Sequence, residues 1–119
     1  MIEVVPGLYY GDFVSGLKTK YLLETGITHI LNVTSKEYTK RNKYFTYLNI
    51  DLHNNSEEDA KKFFRISNRF IRNTLSEGGQ VFIHSSALQL GAVMAIGYLI
   101  GVSKIPLKQS LQMVVKGDL

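Results

Sequence analysis

The sequence predicts an α/β domain built on a largely parallel sheet, and three observations carry that prediction. Short runs rich in β-branched and aromatic residues alternate with longer amphipathic stretches. Glycines stand where two of those stretches should stop, at Gly26 and at Gly78-Gly79. The 119 residues, 45% of them hydrophobic, suffice for a single domain around one core, residues 1–119. Helices between strands return the chain to its starting side, so successive strands enter the sheet in the same direction.

The elements follow in order. Glu3 to Val5 and Leu8 to Tyr10 read as two short strands around a Pro6-Gly7 turn. Ser15 is placed to cap a helix through Leu17, Tyr21, Leu22 and Leu23, with Gly26 as its stop. Ile27 to Val33 has the apolar, β-branched character of a buried strand. Ser35 to Lys43 reads as a polar loop and Phe45 to Ile50 as another strand. Ser56 then caps the clearest helix, whose Glu57, Glu58 and Asp59 set negative charge against the helix dipole. Phe63, Ile66, Phe70 and Ile71 are expected on its inner side, and Lys61, Arg65, Arg69 and Arg72 on its outer side. Gln80 to His84 reads as a strand, Ser85 to Leu90 as a loop, and the small, apolar residues from Gly91 as a helix. A last amphipathic helix starts at Pro106 and turns Leu107, Leu111, Val114 and Val115 inward.

Composition removes several function classes. With no cysteine, the chain forms no disulfide, no thiolate metal site and no thiol nucleophile. Three scattered histidines, His29, His53 and His84, make a poor metal set, so no metal or other cofactor is expected. The longest apolar run, Gly91 to Val102, falls short of the ~20 residues of a bilayer span. Met1-Ile2-Glu3-Val4-Val5 lacks the basic-then-apolar order of a signal peptide. The expectation is a soluble protein, cytoplasmic or nuclear, with no membrane partner. A net charge of +4 admits an acidic or phosphorylated partner without demanding one.

Val81-Phe82-Ile83-His84-Ser85-Ser86-Ala87-Leu88-Gln89-Leu90-Gly91 resembles the strand, phosphate loop and helix start of the dual-specificity protein phosphatases. Their signature there is His-Cys, five residues, then Arg. Val5-Pro6-Gly7-Leu8-Tyr9-Tyr10-Gly11 resembles the family's opening strand, and Gly26-Ile27-Thr28-His29-Ile30-Leu31-Asn32-Val33-Thr34 its core strand. Phe63-Phe64, Phe70-Ile71 and Gly78-Gly79 match the helix before the loop. Tyr47 to Asn55 fits, without a gap, the catalytically inactive members known as phosphoserine/threonine/tyrosine-interacting proteins. The resemblance covers nearly the whole chain. It implies a dual-specificity phosphatase-like fold, with a twisted, mostly parallel central sheet flanked by helices. Related domains continue past Leu119 with one more helix. The resemblance therefore also implies a C-terminally short domain with an open apolar face, suited to self-association or a protein partner.

The family's chemistry makes three demands, and each meets a different residue here. The thiolate that attacks phosphorus is replaced at Ser85. A serine hydroxyl needs an adjacent base, and His84, its neighbour along a strand, belongs to the opposite face. The guanidinium that grips the phosphoryl oxygens is replaced at Gly91. The acid that protonates the leaving oxygen is replaced at Asn54, with Asp51 three residues earlier as a carboxylate that reassignment would have to use. A single cysteine-to-serine exchange would explain Ser85 but neither of the others.

Phosphate binding is a separate matter. Backbone N–H groups of Ser85, Ser86, Ala87, Leu88, Gln89, Leu90 and Gly91 could cradle an anion at a helix start. Leu88 and Leu90 make the loop mouth apolar, and the plainer reading is a repacked loop with no ligand. The stripe Lys61, Arg65, Arg69 and Arg72 reads either as a solvated helix face or as a docking surface for an acidic or phosphorylated protein. No aromatic residues interleave with it as nucleic-acid binding would ask. Three functions stay open. One is an inactive pseudophosphatase in signalling that anchors phosphoproteins or their kinases, or competes with active phosphatases for them. The others are an unconventional phosphatase using Ser85 and a purely structural interaction domain.

Overall fold

The computed structural model describes residues 2–11, 18–33, 43–50, 57–85, 94–95, 97–99, 101–106, 108–109 and 112–113, with backbone alone at 57–61 and 85. Among the described residues five strands form one sheet: β1 (Ile2–Val5), β2 (Leu8–Gly11), β3 (His29–Val33), β4 (Thr46–Ile50) and β5 (Val81–Ser85). Their order is β1-β2-β5-β3-β4, so the latest in sequence of these five is the central one. Only the β1–β2 pair is antiparallel, and β2–β5, β5–β3 and β3–β4 are all parallel. The mixed sheet with one antiparallel edge agrees with the reading from sequence.

The turn between β1 and β2 is set by Pro6-Gly7. Gly7 takes φ 88°, the left-handed value a type II turn needs at its third residue. Its carbonyl accepts from the Val81 N–H at 2.8 Å, tying the turn to the start of β5. Glu3 lies opposite Tyr9 across this hairpin. The Tyr9 phenol, hydrogen-bonded to the Glu3 carboxylate, partly buried and beside that negative charge, is pushed up from 10.0 to about 12. The folded protein thus favours the neutral phenol. This stabilisation is complete below pH 10 and is lost as pH rises through 12. A late-ionising tyrosine should therefore appear in an ultraviolet tyrosinate titration, and Tyr9→Phe should reduce that late step and flatten alkaline unfolding in the same window. An unchanged alkaline profile in Tyr9→Phe would show that Glu3 does not hold the phenol.

Helix α1 (Thr19–Thr25) begins later than the Ser15 cap implies. Its N-cap residue is Lys18, which makes no side-chain capping bond, and Ser15 itself lies outside the described residues. Its end is as expected. Gly26 at φ 92° lets its N–H reach the Leu23 carbonyl and the Ile27 N–H reach that of Leu22, both at 3.0 Å. Helix α2 (Glu57–Ser76) ends by the same device: Gly78 at φ 83° donates to Leu75 O at 3.1 Å, and Gly79 donates to Thr74 O at 2.9 Å. The Ser56 cap lies outside the described residues.

The sheet has a large and a small apolar layer. On one face Leu8, Tyr10, Leu31, Val33, Ile50, Val81 and Ile83 pack with Ile71 of α2 and with Met94, Ala95, Tyr98 and Leu99 after β5. On the other, Ile30 and Phe82 pack with Leu22, Ile27 and Phe45, flanked by Tyr9 and Tyr47. Within α2, Ile71 is buried and Phe63 and Phe70 pack against the core as expected, but the inner side also takes two polar residues and leaves Ile66 out. Ser67 and Thr74 are buried with Ile71, whereas Ile66 is 38% exposed. The Thr74 hydroxyl satisfies itself on the Phe70 carbonyl at 2.8 Å, which lets a polar side chain occupy the inner face.

Met94, Ala95, Gly97, Tyr98, Leu99 and Gly101 are helical, as expected for the stretch from Gly91. A Cβ on Gly97 would fall 2.5 Å from the Phe64 ring, so that glycine lets α2 lie close. Lys108, Gln109, Gln112 and Met113 are helical, while Pro106 stands before them outside the helix. Leu107, Leu111, Val114, Val115 and the last residues lie outside the described ones.

Candidate functional site

The parallel register places Gly11, Val33, Ile50 and Ser85 at one edge of the sheet, the carboxyl edge of four strands. The chain passes from β2 through α1 to β3, leaving a slot that β5 later fills. Ligands of open parallel sheets sit beyond the carboxyl ends, where neighbouring connections diverge. Ser85 is the last residue of β5 and pairs with Val33, so it stands at this switch point.

His84, one residue earlier, is fully buried on the α1 side, its ring stacked on Phe82 at 5.9 Å and 21°. Strand alternation explains the pairing of Phe82 with His84, since positions two apart share a face. In register with His84 lies Asn32 on β3, followed by Asn49 on β4, a polar row across three strands just inside the edge. Asn32 is 1% exposed, and its Oδ1 has no hydrogen-bond partner among the described residues. A buried acceptor left open costs about 1–3 kcal/mol. Sequence reasoning did not single out Asn32. The available signal was an asparagine inside the otherwise apolar Ile30-Leu31-Asn32-Val33.

The candidates from sequence separate into two regions. Ser85 is placed by its backbone at the sheet edge, while Asn54 and positions 86–91 lie outside the described residues. Arg65, Arg69 and Arg72 are exposed on α2, and Lys61 is placed there by its backbone alone. Lys62, which the expected stripe omitted, is also exposed. His29 serves packing: its Nδ1 lies 2.7 Å from the Thr28 hydroxyl and its ring meets Phe70 edge-on at 5.5 Å. Among the described residues no three His, Asp or Glu side chains gather as metal ligands would, and no helix is long and apolar enough to cross a membrane.

Comparison with known proteins agrees with this architecture. The family model of the dual specificity phosphatase catalytic domain matches residues 8–117. The serine/threonine/tyrosine-interacting protein of Mus musculus is 35% identical over 107 residues, covering 83% of this chain and 48% of that protein. A probable dual specificity protein phosphatase of Dictyostelium discoideum is 35% identical over 101 residues, covering 84% and 46%. The crystal structure of the human tyrosine phosphatase-like serine/threonine/tyrosine-interacting protein is similar at a TM-score of 0.86 and 29% identity, covering 99% of this chain and 83% of that one. The chain spans about half the length of the curated relatives it matches.

Proposed function

The chain belongs to the dual-specificity phosphatase family, and we propose that within it this chain is a pseudophosphatase, which binds protein partners without hydrolysing phosphate esters. The observation that carries the reading is Ser85 at the carboxyl end of the central strand, where the family's motif calls for a thiolate. Gly91 and Asn54, at the positions of the clamping guanidinium and the general acid, support it. So does the likeness to serine/threonine/tyrosine-interacting proteins, whose name describes an interaction. The partners proposed are phosphoproteins or their kinases in the cytoplasm, anchored by this domain or withheld from active phosphatases.

The purified protein is expected to show no turnover of an aryl phosphate above the buffer rate. Sustained turnover that disappears in Ser85→Ala would overturn the proposal in favour of the rival reading, an unconventional phosphatase. The likeness to a relative named as a probable phosphatase favours that rival. Whether the old loop still holds an anion is a separate question: phosphate titration followed by NMR should shift amides from Ser86 to Ala92 if it does.

A further inference from the structure

Lys62, Arg65, Arg69 and Arg72 are all exposed on the solvent side of α2. Spacings of three, four and three residues stack them in one stripe, about 15 Å long at the helical rise. Among the described residues none of the four forms an ion pair; the pair present there is Lys20–Glu24 on α1. A solvated helix face usually mixes both signs of charge, as α1 does. Between Lys62 and Ser76 this helix carries no acidic residue, so Arg65, Arg69 and Arg72 have no acidic neighbour three or four residues away on the helix, and only Lys62 has Glu58 and Asp59 at that spacing. Ile66, 38% exposed, stands in the same face, four residues after Lys62 and three before Arg69.

We propose that this stripe docks an acidic segment of a protein partner, with Lys62, Arg65, Arg69 and Arg72 matching its carboxylates and Ile66 receiving an apolar side chain. This rests on the reading of the chain as a binding module and supplies the surface for it. Charge complementarity selects the occupant, and the surroundings select protein over the other polyanions. Nucleic acid binds through exposed aromatic platforms, whereas Phe63, Phe64 and Phe70 are packed against the core. A membrane surface takes a broad apolar helix face, and here that face belongs to the core.

The test is fluorescence anisotropy with the labelled peptide Glu-Asp-Glu-Leu-Glu-Asp-Glu at about 0.1 M salt, where exposed charges are only partly screened. The double variant Arg65→Glu/Arg69→Glu should raise Kd roughly tenfold, and Ile66→Ser severalfold. Both should melt near the wild-type temperature, because the altered side chains are exposed. No binding by the wild type, or equal affinity in the double variant, overturns the proposal. So does tighter binding of oligouridylate or of anionic phosphatidylglycerol vesicles through the same arginines. The peptide contains no phosphate ester, so this readout is independent of the turnover assay. Failed docking without turnover removes the surface and leaves the pseudophosphatase reading, whereas turnover removes that reading whatever the peptide does.

Discussion

Ser85→Cys is expected to leave the protein without appreciable phosphatase activity, although it restores the one atom the family's chemistry starts from. In that chemistry a thiolate attacks phosphorus, an S–P bond forms as the P–O bond breaks, and the departing oxygen takes a proton from an acid. Asn54 has no such proton to give, and general acid catalysis contributes about 10²–10⁴-fold. Gly91 offers no guanidinium to the phosphoryl oxygens, and losing one electrostatic partner of that kind costs about 10²–10³-fold. Together these place Ser85→Cys at least about 10⁴-fold below an active relative. Measured kcat/KM on an aryl phosphate should rise only when Gly91→Arg and Asn54→Asp are added. Robust activity in Ser85→Cys alone would mean that the other two positions had been assigned wrongly.

Phe82→Ala is expected to cost about 3–5 kcal/mol, as truncation of a fully buried phenylalanine does. Phe82 is 0% exposed in the central strand, in register with Tyr9 on one side and Ile30 on the other. It sits under the smaller apolar layer, where Leu22 and Ile27 at the end of α1 close over it. A domain of this size loses a few degrees of melting temperature per kcal/mol, so a fall of roughly 10–20 °C should follow. Ile66→Ala, at a 38% exposed position, should cost under about 1 kcal/mol. If the two variants melted together, the smaller layer would not be contributing to the fold as its burial implies.

The fold was legible in the sequence wherever local chemistry decides structure. Gly7, Gly26 and Gly78 each take the left-handed glycine conformation their turns require, and those signals need no tertiary context. The start of α1 was not legible, because Lys18 ends it without a side-chain cap and leaves no residue type to notice. On the inner face of α2, Phe63, Phe70 and Ile71 pack as hydrophobicity predicts, and Ile66 departs from it. Ile66 is the larger apolar residue, yet the positions beside the sheet are Ser67, Ile71 and Thr74, where a short side chain or a self-bonded hydroxyl fits. At the site, the run Val81-Phe82-Ile83-His84 located the central strand to within one residue, Ser85 being its last residue rather than the first of the loop. Asn32 was not found, because its significance comes from register with His84, fifty-two residues away, and only strand pairing brings the two together.

The order β1-β2-β5-β3-β4 also has a consequence in time. Among the five described strands the ribosome delivers the other four first, and the keystone is the last of them to be made. Until Val81 to Ser85 emerge, β1–β2 and β3–β4 are two separate ribbons, each with an unpaired edge at β2 or β3. Two-stranded ribbons are marginal in water, and open edges recruit other chains. A nascent chain halted before residue 81 therefore has no sheet to complete, and it is exposed to aggregation until β5 locks both halves at once. The strand that ends at Ser85 is thus the one the chain cannot dispense with in order to fold.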